Sequence, residues 1–206
     1  MKRLLLLGAG LLVLAVAGWF TWRNIQARKG FSIAASGGRA MALVLPELGR
    51  TYLQKDPLWR DEKLGSTSEN LGSIDCAVCS VAMASTSLGF PVTPSELNGK
   101  LRDGQGFTPQ GWLVWGALPG ATDQHVEVIV ADRPSHAAMD AALERGEFPV
   151  VKFILLSGIT HWVVVVGKDG LDYLVRDPLK ASEKPVKLSS RTSAIYSVRF
   201  VRRKAA

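Results

Sequence analysis

Asp75-Cys76-Ala77-Val78-Cys79-Ser80-Val81-Ala82-Met83 reads as the opening of a helix with a thiol in its first turn. Asp75 is a suitable N-cap, because its carboxylate can accept an N–H that the first helical turn leaves unpaired. Ala77, Val81, Ala84 and Leu88 recur at helical spacing and predict one continuous apolar face over 76–88. Gly89 supplies the stop. Two later pieces answer this one: His161-Trp162 opens a valine run, and Asp177-Pro178 closes the stretch that follows it.

Downstream, Thr93-Pro94-Ser95-Glu96 has the form of a capping box with Pro at the first helical position, which predicts a second helix to about Arg102. Ser135 to Arg145 is a third, capped by Ser135 and stopped by Gly146. The last third turns to Val- and Ile-rich runs separated by turn residues, with strands expected at 126–130, 149–156, 161–167, 171–176 and 194–201. Helices first and strands later imply an α+β domain with an antiparallel sheet.

Upstream, Lys2-Arg3 precedes an apolar run from Leu4 to Phe20, followed by Trp22 and Arg23. Residues 1–23 read as a membrane anchor or as a signal peptide with Ala15-Val16-Ala17 as the cleavage site. The interfacial aromatics Trp19, Phe20 and Trp22 favour the anchor. Either reading places the body outside the cytoplasm, membrane-anchored or secreted. Residues 24–45 read as a linker, with a short apolar piece at Met41–Leu45 that reads weakly as strand or helix, and 46–206 as one domain. Residues 60–73 are polar and Gly/Ser-rich and read as loop.

The formal net charge of +7 is concentrated at this end. Residues 1–30 hold five basic residues and no acid, leaving 20 basic against 18 acidic in the rest, so nucleic-acid binding loses its main support. Two cysteines exclude a disulfide framework, and a single Cys-x-x-Cys lacks the second half of a structural zinc site. Neither metal nor cofactor is expected. His125 and His136 read as surface groups, Arg199, Arg202, Arg203 and Lys204 as a solvated basic end, and Trp59, Trp112, Trp115 and Trp162 as core or groove residues.

The chemistry rests on three side chains. A thiol at a helix N-terminus faces unpaired N–H groups and the positive end of the macrodipole, which favour the thiolate and can bind an oxyanion. Read alone, Cys76 is as well explained as a small buried hydrophobe. His161 and Asp177 change that. A three-residue loop at Lys168-Asp169-Gly170, with Gly in the left-handed position, would set Val165 opposite Tyr173 and Val163 opposite Val175. His161 then falls opposite Asp177, where a carboxylate can orient an imidazole and fix its tautomer. A cysteine, a histidine and a carboxylate are together what an activated thiol needs.

On these residues the chain resembles the bacteriocin-processing (double-glycine) peptidases and their wider relatives among papain-like cysteine peptidases. The resemblance covers about residues 50–180. It rests on Gln54 in Tyr-Leu-Gln-Lys-Asp-Pro-Leu-Trp, Cys76 in Ile-Asp-Cys-Ala-Val-Cys, His161 in His-Trp-Val-Val-Val-Val-Gly, and Asp177 in Val-Arg-Asp-Pro. Gly89, Thr93-Pro94 and Leu97 also fit. The resemblance implies a papain-like fold. It makes Cys76 the nucleophile, His161 the base and acid, Asp177 the orienting carboxylate and Gln54 an oxyanion donor, acting on a peptide or protein substrate. The chain departs from the family in having Ala77 where Gly is common, and in the 22 positions between Gln54 and Cys76. Two other functions compete: a catalytically silent papain-like domain that binds peptides, and a thiol–disulfide protein using Cys76 and Cys79. In an oxidising compartment a Cys76–Cys79 bond would block the nucleophile.

Overall fold

The computed structural model describes residues 18, 19, 21, 30–47 and 50–205. The anchor or signal reading of residues 1–23 falls outside these, apart from Gly18, Trp19 and Thr21. Among the described residues no helix is long and apolar enough to cross a membrane.

In chain order the strands are β1 (Ile33–Ala34), β2 (Ser36–Val44), β3 (Val126–Val130), β4 (Phe148–Ile154), β5 (Thr160–Arg176), β6 (Val186–Lys187), β7 (Ala194–Ile195) and β8 (Ser197–Arg203). The α-helices are α1 (Leu71–Ile74), α2 (Cys76–Ser87), α3 (Pro94–Asp103), α4 (Leu118–Ala121) and α5 (His136–Glu144). The protein is thus a mixed α+β structure. One antiparallel sheet runs in the order β2-β5-β4-β8-β3, with β6 beside β5, while β1 and β7 form a separate two-stranded ladder.

The long strand β5 carries the site. His161 Nε2 lies 2.7 Å from Asp177 Oδ1. Sixteen residues of extended chain would instead separate them by about 53 Å. The strand therefore turns back on itself, with the reversal centred midway, near Asp169. Gly170, at φ +61°, is its only residue in the left-handed region. Before the reversal β5 pairs with β4, Phe153 facing His161 and Lys152 facing Trp162; after it, Leu174 and Val175 pair with β6. The strand β2 runs along the reversal itself, Val44 facing Gly167 and Met41 facing Gly170. Glycine is required at 167: a Cβ there would come within 2.4 Å of Leu43 O and 2.9 Å of Val44 Cα.

The segment read as a linker, 24–45, thus supplies all of β1 and β2. A second feature of that segment is polar. Lys168 is almost fully buried, and its Nζ reaches Asp140 Oδ1 at 2.6 Å and Gly37 O at 2.7 Å. Tyr173 OH also donates to Asp140 Oδ1, Arg39 N donates to Oδ2, and His136 Nδ1 lies 3.0 Å from Tyr173 OH. Charges buried together need each other's hydrogen bonds, and this network ties β2, α5 and β5 into one unit. His136, expected at the surface, belongs to it, while His125 is exposed as expected and stacks on Phe90 with its ring centroid 5.2 Å away.

The helix α2 is buried on every side from Cys76 to Thr86, not along one face. Its small Ala, Ser and Cys side chains let it sit centrally, against β5 and with α3 beside it. Asp75 caps it as expected, Oδ1 accepting the Val78 N–H at 2.9 Å. The capping box of α3 forms, with Thr93 and Glu96 each accepting the other's backbone N–H. The segment 60–73 is not all loop, because Leu71–Ile74 forms the single turn α1 that leads into Asp75.

Candidate active site

Cys76 is delivered by the α1–α2 joint, His161 by the start of β5 and Asp177 by its end. Their exposures are 4%, 1% and 2%, so the group is closed to solvent. The link from helix to sheet is the backbone of Trp162. Its N–H donates to Cys76 Sγ at 3.2 Å, and its carbonyl accepts from Ser80 Oγ, one turn further along α2, at 3.2 Å. The thiol therefore sits against the residue next to His161. No hydrogen bond joins Cys76 Sγ to the imidazole itself.

Asp177 has both oxygens occupied. Oδ1 accepts from His161 Nε2 and, at 2.8 Å, from the Leu179 N–H; Oδ2 accepts from Arg191 Nε at 2.7 Å. Burial alone would raise this carboxyl, but His161, the Leu179 N–H and Arg191 together hold it below its ordinary value. An ionised Asp177 can only accept, so Nε2 is the protonated nitrogen that donates to it. Phe153 meets the His161 ring edge-on at 5.3 Å.

The thiol does not have the lowered pKa that the helix N-terminus suggested. Burial pushes Cys76 up to about 12, and the nearby Asp75 and Asp177 add to this against the Trp162 N–H. Cys79 is pushed up as well, chiefly by burial, and both thiols are free. Asp75 itself is buried, with Oδ2 lacking any hydrogen-bond partner, and burial raises its pKa to about 7.

Gln54 is buried between the two halves of the site. Its N–H donates to Pro178 O at 2.9 Å and its side-chain Nε2 to Gly72 O at 3.1 Å. It thus ties the turn after Asp177 to the segment that leads into Cys76. The tryptophans divide. Trp59 is core, with Nε1 donating to Leu53 O, while Trp112 is exposed. Trp115 and Trp162 pair at 4.9 Å between ring centroids.

Sequence reasoning missed Arg191 and the Trp162 N–H. Arg191 follows a short 3-10 turn, Leu188–Ser190, and nothing in the sequence around it marks a partner for a carboxylate fourteen positions away. A backbone N–H has no sequence signature. Among the described residues no group of three or more His, Cys, Asp or Glu converges as metal ligands. Compared with known proteins, the chain matches no family model and no curated protein.

Proposed function

We propose that the protein is a papain-like cysteine hydrolase that cuts a peptide or peptide-like amide outside the cytoplasm, tethered or exported through residues 1–23. The observation that carries the reading is the pairing of His161 Nε2 with Asp177 while the neighbouring residue's N–H rests on Cys76 Sγ. A nucleophile on a central helix, packed on an antiparallel sheet that supplies the imidazole and its carboxylate, also supports it.

With Nε2 committed to Asp177, Nδ1 is the nitrogen left to take the thiol proton. The resting thiol is protonated at neutral pH, so this transfer accompanies substrate binding. Sulfur then bonds to the carbonyl carbon, the C–N bond breaks, and the proton on Nδ1 leaves with the amine. Water, deprotonated by the same nitrogen, hydrolyses the thioester. The Cys76 and Ala77 N–H groups at the head of α2, and the Gln54 Nε2 hydrogen not given to Gly72 O, are the candidate oxyanion donors.

The test is labelling by an electrophilic peptide probe under reducing conditions, in wild type and in His161→Ala. The expected result is modification of Cys76 in wild type and at least a hundredfold slower modification in the variant. Equal labelling of both, or none in wild type, sinks the hydrolase reading. One observation favours a second reading, a catalytically silent peptide-binding domain: the thiol is closed off, and no hydrogen bond joins it to the imidazole. On that reading the probe leaves Cys76 unmodified.

A further inference from the structure

The other side of Trp162 faces a cluster that the hydrolytic chemistry does not use. On the sheet, Lys152 of β4 lies directly opposite Trp162, and Val150, two residues before it, lies opposite Arg199 of β8. The Arg199 guanidinium carbon lies 5.6 Å from the centroid of Trp115 and 5.5 Å from that of Trp162. Lys152 Nζ lies 6.0 Å from the centroid of Trp162. Two cations and two indoles therefore share one small patch, all four half-buried. Arg199 sits within β8 and is not part of a solvated tail.

What this patch lacks is an anion. Arg199 spends Nη1 on Ser197 Oγ and Val198 O, and its buried Nε has no hydrogen-bond partner. Lys152 and Arg199 are both held below their ordinary pKa values by burial, and Lys152 also by Arg199; no carboxylate offsets either. Arg202, three residues along the same strand, shows the contrast, with Glu127 at 2.8 Å and Glu147 at 3.9 Å. Indole faces attract cations, but they do not cancel the repulsion between two like charges taken partly out of water. A bound carboxylate would.

We propose that Lys152 and Arg199, walled by Trp115 and Trp162, form a carboxylate subsite beside the Cys76 thiol, which selects peptides that are acidic next to the scissile amide. The subsite rests on the reading of Cys76 as nucleophile for its purpose, though not for its binding. Residue 162 fixes the juxtaposition, because its N–H touches Cys76 Sγ while its indole walls the cluster. Trp162 thus touches the thiol with its backbone and both cations with its ring. Arg offers a planar fork to a carboxylate and Lys a point charge.

The experiment measures peptide binding by calorimetry on full-length Cys76→Ala protein, so that no turnover is needed. The probes are acetyl-Ala-Ala-Glu-Ala-Ala amide, its Gln counterpart, and acetyl-Ala-Ala with a free C-terminal carboxylate, which separates a side-chain from a terminal acid. The Glu or the free-acid peptide should bind at least tenfold more tightly than the Gln amide. That advantage should shrink with added salt and disappear in Lys152→Met. Arg199→Met should act alike; Lys152→Met stands alone if the Arg199 variant does not fold. Equal affinities for the three peptides, no measurable binding of either acidic one, or an advantage that survives Lys152→Met overturns the subsite. Failure of the hydrolase reading is distinguishable, because it leaves wild type unlabelled at Cys76 while the acidic preference persists.

Discussion

Arg191 Nε lies 2.7 Å from Asp177 Oδ2, the carboxylate oxygen that His161 does not use. The imidazole is therefore oriented by a carboxylate that is itself held from behind, and Arg191 acts as a positioning residue. Replacing Arg191 by Met leaves Oδ2 buried and unpaired, which should cost about 2 kcal/mol of stability. It also removes one of the groups that keep Asp177 ionised. A lowered carboxylate adds stability above its unfolded pKa and loses it as pH falls through its folded value. Without Arg191 that loss, and the acid limb of the labelling rate at Cys76, should move to higher pH. An acid limb that does not move would reduce Arg191 to a purely structural contact.

Asp75 should make the protein less stable as pH rises. Its carboxyl titrates near 3.8 when unfolded and at about 7 when folded, because burial disfavours its charge. Between those values the folded protein keeps a proton that the unfolded chain has lost, so stability is greatest below the lower value and falls through the upper one. The loss should amount to a few kcal/mol. Asp75→Asn retains an acceptor for the Val78 N–H and removes the charge. Urea unfolding of this variant should lack the fall that Asp75 imposes on wild type between about pH 4 and 7, and above that range the variant should be the more stable protein. A wild type whose stability does not fall over this window contradicts the account.

The Lys168–Asp140 pair should behave as a buried ion pair that cannot lose one member. Asp140→Ala leaves the almost fully buried Lys168 ammonium without a counter-charge, holding only Gly37 O, and takes the carboxylate acceptor from the Tyr173 hydroxyl and the Arg39 N–H. The expected cost is about 3–5 kcal/mol by denaturant unfolding. Lys168→Met leaves Asp140 with two of its donors and should cost less. Burial works to raise the Asp140 carboxyl, but Lys168, Arg39 N–H and Tyr173 outweigh it and hold it low. The wild-type contribution is therefore present at neutral pH and lost in acid.

Gly167→Ala tests the sheet directly. The added Cβ would meet the backbone of β2 at Leu43 and Val44, so the strand must shift. A loss of at least about 2 kcal/mol is expected, larger than the usual Gly-to-Ala change in a strand. A neutral outcome would mean that β2 does not pair there.

Cys79 separates the hydrolase from the thiol–disulfide function. Its side chain is fully buried in α2, one turn from Cys76. Cys79→Ser should preserve probe labelling, and Cys76→Ala should abolish it. Equal loss in both variants would favour the redox function.

Much of this molecule follows from local chemistry. Asp75, the Thr93-Pro94-Ser95-Glu96 box and Ser135 cap the helices where they should, because a cap depends on atoms within three residues. The strands at 126–130 and 148–154 follow from dense β-branched runs. Residues 36–40 carry no strand signal and Met41–Leu45 only a weak one, equally readable as helix: the Gly, Ala and Arg content has little strand preference, and the pairing depends on a partner more than 120 positions away.

The opening cysteine shows where the sequence stops. Its place at the head of a helix follows from the Asp75 cap, and the meeting of His161 with Asp177 across a Gly-bearing reversal from their spacing about a three-residue loop. Its ionisation was not. The helix N-terminus favours a thiolate, but burial is a property of the whole packing, and it pushes the Cys76 thiol up to about 12. The Arg191 hold on Asp177 and the unpaired Lys152–Arg199 patch likewise exist only once distant strands are side by side. Sequence spacing decides which groups can meet locally; desolvation and long-range contact decide the charge they carry when they do.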